Sequence, residues 1–348
     1  MKSARMPAPK APLEVVESGT PSPEGEQVLV RVESSGVCHS DLHLWEGGYD
    51  MGGGTFMKAT DRGVRYPVTP GHEVAGVVEA GGEAGGFSRG DRVLVYPWAG
   101  CLGCPGCSSG NENLCDAPRS MGIFQDGGYA DHMLVPSHRY LARLDRVDAD
   151  SATSLACSGL TAYNAVKKAA AASPSHLVVV GAGGLGLMGI QLARELTDAK
   201  IICVDNDPAK FETASKMGAD HVVDSSSGDP AAAITSICGR APGAVVDFVN
   251  APPTVGMALK ALGKRGTLVL VGLFGGSFEL PLVTVPLRSL TIQGAYTGSY
   301  AEMAELVSLA EKGAIRTVVT KRYGLEEAGA ALEDLAARRI VGRAVINP

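Results

Sequence analysis

Two patterns of apolar and polar positions divide the chain near residue 150. Before that point, short apolar runs are separated by Gly and Pro, which is typical of an antiparallel, loop-rich unit. The runs predicted as strands are QVLVRV (27–32), EVAGVVEA (73–80), DRVLVYP (91–97) and YADHMLVP (129–136). The first part of the chain is therefore expected to be rich in β-structure.

After residue 150 the chain alternates between apolar strands and stretches with helical periodicity. An Ala-rich helix is predicted at 161–172, and helices are also predicted at 207–217 and 254–262. The predicted strands of this region are HLVVVGAGG (176–184, the strand leading into the glycines), AKIICVD (199–205), HVVDS (221–225), AVVDFV (244–249), TLVLVGL (267–273) and LTIQGAY (290–296). Repeated βαβ units of this kind predict a parallel sheet with helices on both faces.

These elements predict an α/β fold with two domains, since 348 residues exceed what one core usually serves. A helix at 300–313 and the final strand GRAVIN are expected to return to the first domain. The predicted division is a β-rich domain of 1–157 with 296–348, and a doubly wound parallel-sheet domain of 158–295. The segment 47–67, called the insert below, has neither period, and its glycines predict a mobile loop at the border of a cleft.

Charge and composition narrow the classes of partner. The net charge is -6 and no run of Lys and Arg is clustered, so nucleic acid and anionic lipid are not expected partners. The N-terminus MKSARMPAPKAPLEVV has no apolar signal core, and no stretch is apolar enough for a membrane span. A cytoplasmic protein is expected, in which the 8 cysteines bind metal or are buried thiols.

The segment CLGCPGCSSGNENLC has the spacing of a four-thiolate metal site. Cys101, Cys104, Cys107 and Cys115 form a C-x2-C-x2-C-x7-C array that can surround one tetrahedral ion. Four thiolates leave no open coordination position, so a structural zinc ion is predicted. An iron–sulfur cluster uses the same ligands and stays open as an alternative, as do four unrelated thiols.

The segment VVVGAGGLG has the glycine spacing of a dinucleotide-binding turn between a strand and a helix. The predicted binding residues of this turn are Gly181, Gly183, Gly184, Leu185 and Gly186. About 20 residues further on, Asp205 ends the next predicted strand, where a carboxylate can bind an adenosine ribose. Because that carboxylate repels a 2′-phosphate, NAD is predicted rather than NADP. The alternative is a glycine-rich turn without a ligand.

A third group of metal-ligating residues is scattered along the chain. Cys38 lies in GVCHSDLH, His72 and Glu73 lie in PGHEVAG, and Cys157 lies in LACSGLTAY. Two cysteines and a histidine would give three ligands and an open position, which is a catalytic zinc arrangement. The residues alone leave buried thiols and an ordinary histidine equally open, because one sequence does not prove that distant residues meet.

The ordered set of segments resembles the zinc-dependent alcohol dehydrogenases of the medium-chain dehydrogenase/reductase superfamily. The segments are GVCHSDLH, GHEVAG, the four-cysteine segment, LACSGLTAY, GAGGLG and VDND. The likeness covers essentially the whole chain. It implies that the β-rich domain is a GroES-like catalytic domain and that the second is a Rossmann domain that binds NAD. It also implies two zinc ions per chain, one catalytic and one structural.

The resemblance also implies residue roles. In that family the residues matching Cys38, His72 and Cys157 bind the catalytic zinc, and the residue matching Glu73 can approach it during ligand exchange. The residue matching Asp41 orients the histidine ligand. The other matches are Ser40, which takes the alcohol proton, His43, which passes it towards solvent, His39 and Arg343 near the pyrophosphate, Thr161 near the nicotinamide, and Lys210 near the adenosine ribose. Histidine at position 39 is a weak anion partner at neutral pH.

The implied reaction is the reversible oxidation of primary or secondary alcohols to aldehydes or ketones. A polyol or amino-alcohol dehydrogenase of the same superfamily is the alternative, and a non-catalytic nucleotide-binding zinc protein is another. An apolar substrate is favoured by Trp45, Trp98, Phe124, Leu273 and Phe274, for which a core position is an equal interpretation. Bacterial and archaeal relatives are usually tetramers, and SLTIQGAYTG could form an edge strand that pairs across a dyad, so a homo-oligomer is expected, with a tetramer favoured over a dimer.

Overall fold

The computed structural model describes residues 1–348, which form two compact units. Unit 1 comprises Met1–Tyr49, Met57–Leu160 and Gly298–Pro348, and unit 2 comprises Asp50–Phe56 and Thr161–Thr297. The predicted division kept residues 50–56 in the first domain. In the structure these residues belong to unit 2, because the backbone around Gly52 lies directly against Gly276.

The chain contains both strands and helices throughout its length. The strands are β1 (Lys2–Arg5), β2 (Glu14–Glu17), β3 (Val28–Val37), β4 (Gly48–Asp50), β5 (Phe56–Lys58), β6 (Glu73–Gly81), β7 (Arg92–Val95), β8 (His132–Val135), β9 (Leu141–Arg143), β10 (His176–Val180), β11 (Lys200–Asp205), β12 (His221–Asp224), β13 (Ala244–Asp247), β14 (Thr267–Leu270), β15 (Thr291–Gly294), β16 (Val319–Gly324) and β17 (Arg343–Asn347). The helices are α1 (His39–Glu46), α2 (Pro105–Ser108), α3 (Ala149–Thr153), α4 (Ser158–Ala170), α5 (Gly184–Leu196), α6 (Phe211–Lys216), α7 (Pro230–Cys238), α8 (Pro252–Ala261), α9 (Thr284–Arg288), α10 (Tyr300–Glu311) and α11 (Ala328–Ala336). None of the helices combines the length and apolar character that crossing a lipid bilayer requires.

A seven-stranded sheet forms the centre of unit 1. Its strand order is β16-β17-β3-β6-β7-β9, and β8 also pairs with β3. The antiparallel register of β3 and β6 sets Gly36 opposite Glu73, so the end of β3 lies beside the start of β6. The final strand joins the same sheet, with Ala344 opposite Val37. This pairing places the end of β3 beside the starts of β6 and β17, three segments that are far apart in sequence.

A parallel six-stranded sheet forms the centre of unit 2. Its order is β12-β11-β10-β13-β14-β15, and every neighbouring pair is parallel. Its strands are almost continuously apolar because helices cover them, as in the core formed by Val178, Ile202, Val245, Leu268, Ile234 and Leu259. The chain changes direction across the sheet between β10 and β13, and ligands of such sheets bind at the carboxyl ends of the strands there. The predicted α/β fold, with a β-rich unit and a doubly wound sheet, is confirmed.

Several short elements did not show in the sequence pattern. The insert was predicted as a loop, but β4 and β5 pair within it as a hairpin. The strands β1 and β2 pair with each other, with Lys2 opposite Glu17. Each of these strands has four residues or fewer. Such strands are too short for an alternating pattern to show, and they form because another segment supplies the hydrogen-bonding partner.

Candidate active site

The segment GVCHSDLH turns from β3 into α1, with Cys38 at the junction. Cys38 has an extended backbone, with φ -125 and ψ 155, and forms the N-cap of α1. The carboxylate of Asp41, in the first turn, accepts a hydrogen bond from the Cys38 backbone N–H at 3.0 Å. An acidic side chain in the first turn also suits the positive end of the helix dipole. The helix start therefore holds both side chains in place.

Asp41 connects this helix to His72. Its Oδ1 accepts hydrogen bonds from the Gly71 backbone N–H at 3.1 Å and from His72 Nδ1 at 3.1 Å. Its Oδ2 accepts a further one from the Tyr129 hydroxyl at 3.3 Å. An ionised carboxylate only accepts hydrogen bonds, so His72 carries a proton on Nδ1. The Nε2 atom is then the one directed at the neighbouring thiols.

Four ligand atoms converge beside Asp41. His72 Nε2 lies 3.3 Å from Cys157 Sγ, and Cys157 Sγ lies 3.9 Å from Cys38 Sγ. With a carboxylate oxygen of Glu73, these atoms all lie within 4.8 Å of one another, and all four residues are buried. None of the cysteines forms a disulfide. Two sulfurs and an imidazole nitrogen are donors that zinc prefers, so the residues present fit this ion.

The pKa values of the two thiols in this cluster are shifted in opposite directions. Hydrogen bonds from Cys157 and His72 hold the pKa of Cys38 well below its usual value despite burial. Donating to Cys38, together with burial, raises the pKa of Cys157 well above its usual value. Burial acts to lower the pKa of His72, but Asp41 and Cys38 raise it well above its usual value. Metal binding must therefore displace protons, since thiolates and neutral imidazole are the ligand forms.

Glu73 is held by two donors within the same cluster. Its Oε1 accepts a hydrogen bond from the Ser158 backbone N–H at 3.1 Å, and its Oε2 pairs with the guanidinium of Arg343. Burial raises the pKa of Glu73, and the charge of Arg343 opposes that rise. The family resemblance implies only a pyrophosphate contact for Arg343. Its ion pair with Glu73 was not predicted, since no local pattern relates residues on β6 and β17.

The residues assigned to proton transfer lie along α1. Ser40 lies half-buried in its first turn, and His43 lies in its last turn with 15% of its side chain exposed. His43 Nδ1 is 3.3 Å from Glu46 Oε2. His39 is the first residue of α1 and is exposed. Its contact with the pyrophosphate stays a prediction.

The four-cysteine lobe (residues 100–117) brings its thiols together around a short loop. Cys104 Sγ lies 3.6 Å from Cys107 Sγ and 3.8 Å from Cys115 Sγ. All four sulfurs lie within 4.8 Å of one another. Backbone N–H groups of Cys107 and Asp116 lower the pKa of Cys104 to about 6, whereas burial raises the pKa of Cys107 to about 12. Four converging sulfurs that form no disulfide fit one tetrahedral metal ion.

The sequence did not predict the role of one buried residue of this lobe, Glu112. Glu112 is 7% exposed and accepts hydrogen bonds on Oε2 from the Gly100 backbone N–H at 3.1 Å and from the Tyr140 hydroxyl at 2.8 Å. Arg139 donates to its Oε1 at 2.6 Å. The carboxylate thus ties the lobe to the segment that leads into β9. In NENLC it looks like any solvated loop glutamate, and no signal distinguishes it.

The glycine-rich turn connects β10 to α5 in unit 2. A side chain on Gly186 would collide with the carbonyl oxygen of Gly181, so the turn requires glycine there. No side chain caps α5, and the space around Gly183 is open. Backbone N–H groups at a helix start with open space around them form an anion-binding site. The turn therefore fits the pyrophosphate of a dinucleotide, including the predicted Gly184 and Leu185 at the helix start.

Asp205 lies at the end of β11 beside this turn. Its Oδ2 accepts a hydrogen bond from the Ala182 backbone N–H at 2.6 Å, and its Oδ1 accepts one from the Asp207 backbone N–H at 2.9 Å. Lys210 Nζ lies 3.2 Å from Oδ1. The carboxylate is 7% exposed. It therefore orders the glycine-rich turn in addition to the predicted ribose contact, a role that the sequence had not suggested.

The remaining predicted residues occupy different environments. Trp98 is 2% exposed, donates from Nε1 to the Ala156 carbonyl at 2.9 Å, and meets the His72 ring edge-on at 5.6 Å. Trp45 donates to the Ala11 carbonyl at 2.8 Å. The others are Thr161, buried in α4, Phe124, half-buried, and Leu273 and Phe274, which are exposed on unit 2. Trp98 is thus a packing neighbour of a ligand residue, and the pocket assignments stay predictions.

Comparison with known proteins identifies the family. Residues 24–146 match the alcohol dehydrogenase GroES-like domain, and residues 184–312 match the zinc-binding dehydrogenase domain. An NAD-dependent alcohol dehydrogenase of Sulfurisphaera tokodaii is 41% identical over 351 residues, covering 100% of both chains. One of Saccharolobus solfataricus is 41% identical over 353 residues with the same coverage. The chain belongs to the zinc-dependent alcohol dehydrogenases.

A solved structure agrees with this family over the full length. The alcohol dehydrogenase of the hyperthermophilic archaeon Aeropyrum pernix is 35% identical, covers 100% of both chains and has a TM-score of 0.90. The resemblance read from the sequence is confirmed. Membership in the zinc-dependent alcohol dehydrogenases also decides between the metals left open for the four-cysteine lobe, in favour of zinc over an iron–sulfur cluster.

Proposed function

We propose that the chain catalyses the reversible oxidation of primary or secondary alcohols to aldehydes or ketones, with hydride transfer to NAD. The observation that carries the proposal is the convergence of Cys38, His72 and Cys157 from separate segments in one buried cluster. Three protein ligands leave one position of a tetrahedral zinc ion open, as catalytic sites require. The likeness to NAD-dependent alcohol dehydrogenases over the whole chain supports the same reaction.

In this proposal the chain's residues hold the metal and move the proton. Asp41 keeps the proton of His72 on Nδ1, so that Nε2 is the ligand atom, with Cys38 and Cys157 as partners. Zinc, when bound, supplies a Lewis acid that lowers the pKa of an alcohol hydroxyl, and NAD supplies the hydride acceptor. The Ser40 hydroxyl accepts the substrate proton while its own proton moves on towards His43, and His43 releases a proton towards solvent.

Different residues are proposed to contact different parts of the cofactor. The glycine-rich turn and α5 bind the pyrophosphate, and Asp205 binds the adenosine ribose with Lys210 beside it. Arg343 is proposed to add a permanent positive charge near the pyrophosphate, and Thr161 to lie near the nicotinamide. His39 is proposed to contribute little, because histidine is a weak anion partner at neutral pH. Asp205 therefore determines the preference for NAD, and zinc approach by Glu73 stays a proposal for ligand exchange.

The proposed substrate is a small apolar alcohol, aldehyde or ketone. Trp98, Trp45 and Phe124 are the proposed pocket residues, and their rings favour apolar substituents over additional hydroxyl groups. A polyol or amino alcohol would leave hydroxyl or amino groups without partners beside such rings. The physiological alcohol is to be found by a substrate panel.

The test is NADH absorbance on mixing the zinc-loaded protein with NAD and a panel of alcohols. The panel contains benzyl alcohol, a secondary alcohol, a polyol and an amino alcohol. We expect the first two to be oxidised, and Cys157→Ser to abolish turnover while the fold is retained. Faster oxidation of the polyol or amino alcohol would establish the alternative substrate class. No turnover of any alcohol by fully metal-loaded protein would reject the enzyme assignment.

The proposal extends to a cytoplasmic homo-tetramer without a nucleic-acid partner. In unit 2, β15 is an edge strand of the parallel sheet. Apolar side chains before it are unusually exposed, including Leu282 at 78% and Leu287 at 72%. Association would remove them from water. Sedimentation should give four chains per particle, and a monomer at micromolar concentration would reject the assembly.

A further inference from the structure

The surroundings of His43 point to residues with no role assigned so far. In the last turn of α1, its Nδ1 is 3.3 Å from Glu46 Oε2, an i, i+3 pair on one helix face. On its ring, Tyr49 of the insert packs with centroids 4.9 Å apart and planes at 41°. The Arg62 guanidinium lies over the Tyr49 ring at 5.4 Å. The His43 imidazole thus contacts Glu46 through Nδ1 and Tyr49 through its ring.

The insert is folded back onto α1 by specific hydrogen bonds. Gly47 ends the helix in the left-handed region with φ 88, and a side chain added there would collide with Pro9. Ala59 donates its backbone N–H to the Gly47 carbonyl at 2.8 Å, and the Tyr66 hydroxyl donates to the Leu44 carbonyl at 2.6 Å. Tyr49 is therefore placed against His43 by the folded insert.

We propose that Glu46 and Tyr49 are positioning residues for the proton route through His43. A carboxylate accepts a hydrogen bond but does not donate one when ionised, so Glu46 selects the tautomer with hydrogen on Nδ1. Nε2 then presents a lone pair as the proton acceptor. Tyr49 fixes the ring plane, which sets the direction of that lone pair. This assigns a function to the insert, and it rests on the proposed alcohol dehydrogenase reaction.

The competing description is an ordinary surface pair. Glu46 is 43% exposed, and an exposed i, i+3 pair on a helix contributes little to stability. If Glu46 acted on the enzyme independently of His43, its replacement would change the rate to the same extent whether or not His43 is present. If Glu46 acts only by positioning His43, the effect of its replacement must disappear when His43 is replaced. This difference makes a double-mutant comparison decisive.

The experiment measures first-turnover NADH formation in the zinc-loaded enzyme, which product release does not limit. We expect His43→Gln to slow it, with added imidazole restoring part of the rate. We expect Glu46→Ala to slow it roughly five-fold, and Glu46→Gln to retain most of the rate because its amide oxygen still accepts the hydrogen bond. In the His43→Gln background, Glu46→Ala should have no further effect. Glu83→Ala, which removes an exposed carboxylate elsewhere in unit 1, is the control.

A second measurement needs neither zinc, cofactor nor turnover. Diethyl pyrocarbonate modification of His43, read by mass spectrometry, should be at least about three-fold faster in Tyr49→Ala, because the ring loses its cover. His132 is the internal reference, since it pairs with Asp131 at 2.9 Å and is 21% exposed. Its modification should not change.

The outcomes separate the two proposals. An inactive wild-type enzyme rejects the proposed function itself, and the positioning role falls with it. An active enzyme in which His43→Gln has no effect rejects the proton route through His43, and positioning with it. Slowing by His43→Gln with either no effect of Glu46→Ala or the same effect in both backgrounds overturns the role of Glu46. Unchanged modification of His43 in Tyr49→Ala overturns the role of Tyr49.

Discussion

At the scale of single residues, the buried Asp41 carboxylate shows how the site is ordered. It accepts hydrogen bonds from Cys38, Gly71, His72 and Tyr129, and its side chain is fully buried. A buried carboxylate is stable only when donors surround it. The same contacts fix the helix start, the tautomer of His72 and the position of Cys38. One acidic residue thus serves both the fold and the proposed metal site.

Asp205 is expected to set cofactor choice. Asp205→Ser should lower kcat/KM for NAD by about ten-fold or more, since hydrogen bonds to a charged group are lost. It should shift the NAD to NADP ratio towards NADP, because the repulsion of a 2′-phosphate is removed. The measurement is the ratio of kcat/KM for the two cofactors. Asp224→Ser, at the end of the neighbouring β12, is the matched control. A wild-type preference for NADP would contradict the assignment.

Ser40 is expected to carry the first proton transfer. Ser40→Ala should lower kcat by about 10²-fold, the usual range for losing a proton-transfer group. Ser40→Thr keeps a hydroxyl on the same helix turn and should retain most of the activity. The control is the zinc content of both variants, which should equal that of the wild type because Ser40 is not a zinc ligand in the proposal. Equal activity of the Ala and Thr variants would remove Ser40 from the mechanism.

At the scale of elements, the four-cysteine lobe depends on more than its metal. Its only α-helix is α2, of four residues, and the lobe has little apolar core of its own. Backbone N–H groups of Cys101 and Ala117 point at Cys115 Sγ, at 3.1 and 3.3 Å. Glu112 joins the lobe to Arg139 and Tyr140. We therefore expect the lobe to be held both by the proposed metal ligation and by the buried carboxylate of Glu112.

Glu112→Ala is expected to loosen this lobe. It leaves the Gly100 N–H and the Tyr140 hydroxyl without an acceptor, which should cost about 2–4 kcal/mol. Glu112→Gln keeps an acceptor for them and loses mainly the half-exposed pair with Arg139, so its cost should be nearer 1 kcal/mol. The measurements are the thermal unfolding midpoint and the rate of zinc release to a chromogenic chelator. Equal behaviour of the Ala variant and wild type would show that Glu112 does not hold the lobe.

At the scale of the whole molecule, two candidate metal sites of different character lie in unit 1. The ligand cluster around Cys38 is buried within the sheet region, whereas the four-cysteine lobe lies in a loop between β7 and β8. The parallel sheet of unit 2 carries the glycine-rich turn and Asp205. The proposed metal-binding and nucleotide-binding residues thus lie in different units of the chain.

Metal analysis is expected to give two zinc ions per chain. Cys104→Ser should lower stability and lose one ion, because structural zinc binding is coupled to folding. Cys157→Ser should abolish turnover and weaken the other ion, with the fold largely intact by circular dichroism. One ion per chain in fully active wild-type protein would contradict the two-site assignment.

The local sequence determined most of the secondary structure and the separate motifs of this protein. The apolar runs and the βαβ alternation predicted observed strands and helices, the C-x2-C spacing predicted thiols that converge, and the glycine-rich segment predicted the turn between β10 and α5. Each depends on residues within one or two neighbouring elements, where chain geometry limits the arrangements. The likeness to a family then supplied the roles of Cys38, His72 and Cys157 that spacing alone left open.

Only the tertiary structure decided which distant residues meet. The pairing of β3 with β6 brings Cys38 beside His72, and β17 places Arg343 against Glu73 across 270 positions of sequence. Glu112 has a partner 27 residues away and looks like a solvated loop residue in the sequence. Such contacts follow from sheet register and burial of whole elements, and neither leaves a periodic signal at the residues themselves. Local spacing thus determined the separate motifs, and their convergence required the folded sheet.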